Sequence, residues 1–206
     1  MLKNTLTGFM VATFALAVLV AGERTMAADI EEPVYQVVER LGPVEIRWYE
    51  PSVQAVTRLR HSGKTSSGFQ RLANYIFGGN ATTESIAMTA PVQETLGTAS
   101  PEMAFTMPAA YAIGDLPQPR DGQVELREIP GRYVASIAFG GWATAGRVET
   151  AQGKLMMTLA ENGVDSYGHS SLNQFNPPWT LPFLRRNEIN VNVRWTAPEQ
   201  SLALSR

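Results

Sequence analysis

Arg185 and Arg186 stand side by side, directly after the apolar groups Trp179, Leu181, Phe183 and Leu184. A guanidinium grips a carboxylate through two parallel hydrogen bonds, so oily surface beside a paired cation suits a flat apolar ligand with acidic tails. The same residues fit a second reading, in which the aromatics close one end of a core and the arginines form internal ion pairs. Pro177, Pro178 and Pro182 fall within six positions of this stretch. They fix φ and push the residues before them toward extended conformations, so the segment from Asn176 to Ile189 is read as a stiff, presented loop.

Other candidate chemistry is sparse. The two histidines are His61, between a strand and a helix, and His169, in a strand of the second half. His61 reads as a loop histidine within reach of a bound metal ion, His169 as a structural one. Met88, Met103 and Met107 recur at strand spacing, the usual pattern of core filling. Glu84, Glu94 and Glu102 pair as acid and base only by assumption. A Gly-x-Ser-x-Gly elbow, a His-Glu-x-x-His pair, a phosphate-cradling glycine loop and a cysteine nucleophile are all missing from the sequence, which argues against an enzyme.

The 206 residues are 44% hydrophobic and 17% charged, a balance that fits one globular domain with a real core. A net charge of −2 without a block of like charge argues against nucleic acid and against an anionic membrane surface. Residues 1–28 differ from the rest. Lys3 precedes an apolar run from Phe9 to Gly22, and Thr25-Met26-Ala27-Ala28 ends in small residues. That is the form of a secretory signal peptide cleaved near residue 27 or 28, so the protein is expected to be exported, to the periplasm, with residues 29–206 as a single domain. The run is shorter than the ~20 residues a spanning helix needs, so no stable membrane insertion is expected after cleavage.

The elements that position these residues follow from periodicity. Val44, Ile46 and Trp48 alternate with polar neighbours as a strand, and Val53 to Leu59 reads as its hairpin partner. A helix then opens at Thr65, Ser66 or Ser67, carries Phe69, Leu72, Ala73 and Ile76 as one apolar stripe, and stops at Gly78-Gly79-Asn80. Strands are expected over Ser85 to Val92 and Glu102 to Met107, and a linker over Ala109 to Gln123. Val124-Glu125-Leu126-Arg127 echoes Val44-Glu45-Ile46-Arg47 eighty positions on, with Tyr133 to Phe139 as the next hairpin strand. A second helix from about Thr144 to Asn162 carries Val148, Ala151, Leu155 and Leu159. Strands over Ser166 to Phe175 and around Ile189, Val191, Val193 and Trp195 finish the chain. Each half thus reads strand, strand, helix, strand, strand, about 34–108 and 123–195. The fold expected is α+β: two pseudo-symmetric halves forming an antiparallel sheet curled toward a barrel, with two flanking helices.

Gly68-Phe69-x-x-Leu72-x-x-Tyr75-Ile76-x-Gly78-x-Asn80, Ile86-x-Met88-Thr89-Ala90-Pro91-Val92, Phe105-Thr106-Met107-Pro108 and Phe139-x-Gly141 occur in that order. Asn176-Pro177-Pro178-Trp179-x-x-Pro182-Phe183-x-Arg185-Arg186-Asn187-Glu188-Ile189 follows them. Together these motifs resemble the SOUL haem-binding family from about Val34 to Trp195. The resemblance implies a distorted antiparallel β-barrel and non-covalent binding of haem or a related tetrapyrrole without catalysis, by a monomer. It implies a ligand lying against the first helix near the Pro-Pro loop, on Phe69, Leu72, Ala73, Ile76, Trp179, Leu181 and Arg185. Some relatives carry a histidine where this chain has Trp48, which removes that strand as a source of an iron ligand, and no metal ligand is assigned. Lys64, Arg71, Arg185 and Arg186 are candidates to pair with propionates. An apolar macrocycle burying several hundred Å² at roughly 25 cal/mol/Å² gains on the order of 10 kcal/mol before association costs, so micromolar binding without ligation is expected. The open alternative is another amphiphilic small molecule, or a protein partner.

Overall fold

The computed structural model describes residues 30–196 except 62 and 64. The expected signal segment and Lys64 lie outside the described residues. Nine strands form one antiparallel sheet: β1 Tyr35–Leu41, β2 Val44–Tyr49, β3 Ser52–Arg58, β4 Val92–Thr95, β5 Glu102–Thr106, β6 Val124–Ile129, β7 Arg132–Gly140, β8 Ser166–Gln174 and β9 Arg186–Val193. Their order across the sheet is β1-β2-β7-β9-β8-β4-β5-β3-β6. Two helices, α1 Ser66–Ile76 and α2 Ala145–Glu161, cover one face of the curled sheet. It is an α+β half-barrel.

Neither expected hairpin exists. β2 pairs with β1 and β7, whereas β3 pairs with β5 and β6. The reason is local. Glu50-Pro51 joins β2 to β3 and Pro130-Gly131 joins β6 to β7. A two-residue hairpin needs positive φ at its first turn position or at both, and a proline locked near −65° together with a glutamate cannot supply it. Each two-residue connection therefore carries the chain away from the strand it has just made. The strand expected over Ser85 to Val92 is a second correction. Ser85 makes one isolated bridge to Phe77, the segment then runs irregularly through a cis Ala90-Pro91 bond, and β4 starts at Val92.

The helices sit on two apolar clusters. Leu72, Tyr75 and Ile76 of α1 pack with Val53, Ala55, Met103, Phe105, Met107 and Val124. Ala151, Leu155 and Leu159 of α2 pack with Val44, Ile46, Ala135, Ile137, Leu172 and Ile189. Met103 and Met107 are core residues, as their spacing suggests. The buried stripe of α1 is Gly68, Leu72, Tyr75 and Ile76, so Phe69 lies beside it rather than in it. Gly68 is required by close approach: a Cβ there would meet Leu59 Cδ2 at 2.4 Å. Thr65 holds the N-cap position of α1 without a side-chain cap bond. The stop is built on Asn80, fully buried. Its Nδ2 donates to the carbonyls of Tyr75 and Glu84, and its Oδ1 accepts from the Glu84 N–H at 3.0 Å.

Candidate functional site

The Pro-Pro loop is stitched internally. Thr180 N–H donates to Pro177 O, Leu184 N–H to Leu181 O, and Arg186 N–H to Asn176 Oδ1. Arg185 Nε donates to Thr180 O at 2.9 Å, its Nη2 to Pro178 O, and its guanidinium lies 3.8 Å from the centre of the Trp142 ring. Arg186 stacks on Phe175 at 3.6 Å and pairs with Glu32. Arg186 thus forms the internal ion pair of the second sequence reading, whereas Arg185 is held by carbonyls and an aromatic ring instead. The aromatics do not close a core: Trp179 is 83% exposed and Phe183 78%.

The two groups of expected site residues occupy neighbouring positions across the sheet. On α1, Leu72 and Ile76 are buried in core, Ala73 is half-buried, and Phe69 is 37% exposed with its ring edge-on to Phe105 at 5.4 Å. Phe105 pairs with Val92, and Val92 with Gln174. Gln174 in turn lines a hollow of about 510 Å³ with Trp142, Thr144, Asn176, Pro178 and Arg185. Phe105 to Gln174 is two strand spacings, about 10 Å. A row on the helix-covered face thus runs from Phe69 to the Pro-Pro loop, which presents Leu181 and Trp179. None of the α1 residues lines that hollow.

The family motifs meet beneath the loop. Gly141, at φ +84°, makes the turn that presents Trp142. Asn187 Nδ2 donates to Gly141 O at 2.9 Å and to Phe139 O at 3.3 Å. Glu188 accepts from Arg47 and from Ser136 Oγ, with Arg47 and Glu188 both nearly inaccessible. Burial works against the Arg47 charge, yet its bonds to Glu188 hold its pKa above the ordinary arginine value. Hence Phe139-x-Gly141 and Asn187-Glu188 hold the loop and the sheet together.

Arg71 is also engaged, with Thr57 Oγ1 at 2.6 Å and Asp121 at 3.6 Å. His61 is exposed in the connection between β3 and α1, and the neighbouring Gly63 N–H donates to Glu94 of β4. His169 is exposed and lines the concave face of the sheet rather than a core. That face encloses a hollow of about 420 Å³ bordered by tyrosines, amides and charged groups. A further hollow, about 740 Å³, lies at the end of the sheet marked by Pro51 and Pro130 and contains none of the expected site residues. Sequence reasoning missed the concave face, although Asn190 and Asn192 were visible as the polar side of the last strand.

The fold defines this chain as an α+β half-barrel with polar and apolar faces of one curled sheet. More particularly, it belongs to the SOUL heme-binding protein family, whose model matches residues 30–192. No curated protein matches the sequence. Among solved structures it is similar to the EcmrR C-terminal domain, with a TM-score of 0.59 at 12% identity, covering 79% of this chain and 99% of that one. A hydrolase encoded by lin2189 from Listeria innocua gives 0.55 at 10% identity, covering 74% and 92%. An uncharacterized conserved protein from the same organism gives 0.52 at 11%, covering 84% and 97%. At these identities the likeness is of fold alone.

Proposed function

We propose that the protein is an exported, periplasmic binding protein for haem or a related tetrapyrrole, held mainly by apolar contacts without a firm axial ligand and without catalysis. Family membership supports the ligand class. The observation that carries the placement is the row from Phe69 over Phe105, Val92 and Gln174 to Trp142 and the Pro-Pro loop. Phe69, Trp179 and Leu181 supply exposed apolar surface, Ala73 borders it, and Leu72 and Ile76 hold α1 in place beneath it. Arg185 contributes through the rigidity of the loop, with a propionate competing for its carbonyl-bound nitrogens. Export is supported by Lys3, the Phe9 to Gly22 run and the small residues before Asp29. We also read the chain as a duplication acting as a monomer, because exchanging the two halves leaves the order from β2 to β6 unchanged.

Haemin titration tests this reading through Trp quenching and the Soret band. Saturation near micromolar haemin is expected, with iron-free protoporphyrin binding comparably. No saturable change below about 50 μM would overturn it. Trp179→Ala and Phe69→Ser should each weaken binding about fivefold if the row is the site. A second reading, another amphiphile or a protein partner, is favoured by the outward projection of Trp179 and Phe183. It predicts that ligands co-purified from the native compartment are not tetrapyrroles.

A further inference from the structure

The concave hollow carries a separate pattern of unmet contacts. It is lined at one end by the half-buried Arg132 of β7, whose guanidinium lies 5.9 Å from the centre of the Tyr49 ring and makes no ion pair among the described residues. Two carboxylates, Glu32 and Glu102, also border the hollow, but each is paired with another arginine, Arg186 and Arg127 respectively. Burial lowers the Arg132 pKa, the direction expected of a cation held without an anion. Farther along the same face, Asn190 Oδ1 is buried and accepts no hydrogen bond. Such an acceptor costs free energy unless a donor reaches it.

Between these two groups the surface suits a ring system. Val134 lies between Arg47 of β2, which is engaged with Glu188, and Asn192 of β9. Arg132 pairs with Tyr49 and Asn192 with Tyr167, so the two tyrosines stand at opposite corners of this stretch of β7 and β9. Next to Asn190 and Asn192, β8 bulges between Tyr167 and Ser171, with Gly168 at φ +73°. Bulges of this kind re-aim side chains and are frequent beside functional sites. Arg132 and Ser136, the partner of Asn190, are four residues apart on β7, about 13 Å along the backbone.

We infer that the concave hollow is a second binding site, for a small planar aromatic anion with a hydrogen-bond donor at its far end. The anionic group pairs with Arg132, the rings lie between Tyr49 and Tyr167, and the donor reaches the Asn190 carboxamide, whose oxygen accepts from it on turning toward the hollow. The spacing suits a molecule about two fused rings long. The site lies on the opposite face of the sheet from the row assigned to the tetrapyrrole, so either can fail without the other.

The probe is 6-hydroxy-2-naphthoate, which carries a carboxylate and a hydroxyl donor at opposite ends of two fused rings. Its fluorescence and the amide NMR shifts of the protein are followed together. Saturable one-to-one binding is expected below about 1 mM, with shifts on the concave residues of β7, β8 and β9. Its methyl ester, without the charge, should bind roughly tenfold more weakly, and 2-naphthoate, without the donor, several-fold more weakly. Arg132→Met should lower affinity for the carboxylate probe by about tenfold and leave the ester unchanged, while Arg132→Lys keeps most of the affinity. Haemin titration of each variant should be unaltered. Absence of saturation, equal binding of acid and ester, or shifts confined to the Pro-Pro loop would each overturn the inference. The acid and ester comparison needs no variant and stands even if Arg132→Met does not fold.

Discussion

The helix-covered and concave faces of the sheet are made by alternate residues of the same strands, yet they are held in different ways. On β9, Ile189, Val191 and Val193 go to the α2 core, whereas Glu188, Asn190 and Asn192 go to the other side. The first face is filled where the two helices sit on it and opens only beside Gln174 and the Pro-Pro loop. The second has no covering layer among the described residues, and its groups are satisfied by one another, as in Arg47 with Glu188, or left with an unmet contact, as in Asn190. Tolerance to change should therefore differ sharply between the faces. A covered apolar face loses stability through cavities, an open polar one through stranded charge.

Glu188→Ala gives the largest expected effect. It removes the buried carboxylate that Arg47 and Ser136 share, leaving the guanidinium to the more exposed Glu45 and to Tyr49, and should cost about 4 kcal/mol in a urea unfolding titration. Adding Arg47→Met should recover much of that loss. If Glu188→Ala alone is benign, the concave side is far wetter than its exposure suggests. Leu155→Ala comes next. This fully buried α2 residue should cost about 3 kcal/mol by thermal melting, through the cavity it leaves. Alkaline pH probes the α1 side. Burial, then the nearby Glu84 and Tyr111, push the Tyr75 phenol up to about 12 from an ordinary 10.0. Its contribution is intact below pH 10 and is lost as pH rises toward 12, about 1 to 2 kcal/mol after allowance for solvent screening. Tyr75→Phe should abolish that pH dependence while removing the bond to Pro117 O. Smallest of all, Asn190→Ala should change stability by no more than about 0.5 kcal/mol, because its Oδ1 has no partner to lose. A loss of 2 kcal/mol or more there would show that the concave face is packed like the other.

The elements with strong periodicity were legible. Ile189, Val191 and Val193 identified the last strand and its buried side, and Val148, Ala151, Leu155 and Leu159 a helix in the right place. Pairing was not legible, because alternation at Val44 to Trp48 says which side is buried but not which strand lies alongside. Pro51 and Pro130 held the clue, as residues that forbid the tight turns assumed for them. Ser85 to Val92 misled because Ile86 and Met88 alternate like a strand while belonging to an irregular connection packed on the α1 core. For the site, Trp179 and Arg185 were visible in a loop whose prolines marked it as presented. The hydrogen bonds of Arg185 to Thr180 and Pro178 depend on a folded shape that no spacing reveals. Asn190 and Asn192 alternate with the apolar residues of the last strand, which marks a polar side but not what it encloses. Curvature turned that side inward.

The two prolyl connections also set when the molecule can assemble. β2 finds its partner β7, and β3 its partner β6, only after the synthesis of the entire middle of the chain. A growing chain that has reached Gln123 holds five strands, of which β1 with β2 and β4 with β5 can zip locally. β2 still lacks β7 and β3 still lacks β6, so closing the full sheet waits on distant contacts, a slow event. Until β7 and β9 arrive, the early strands keep bare edges, where stray pairing with other chains is easiest.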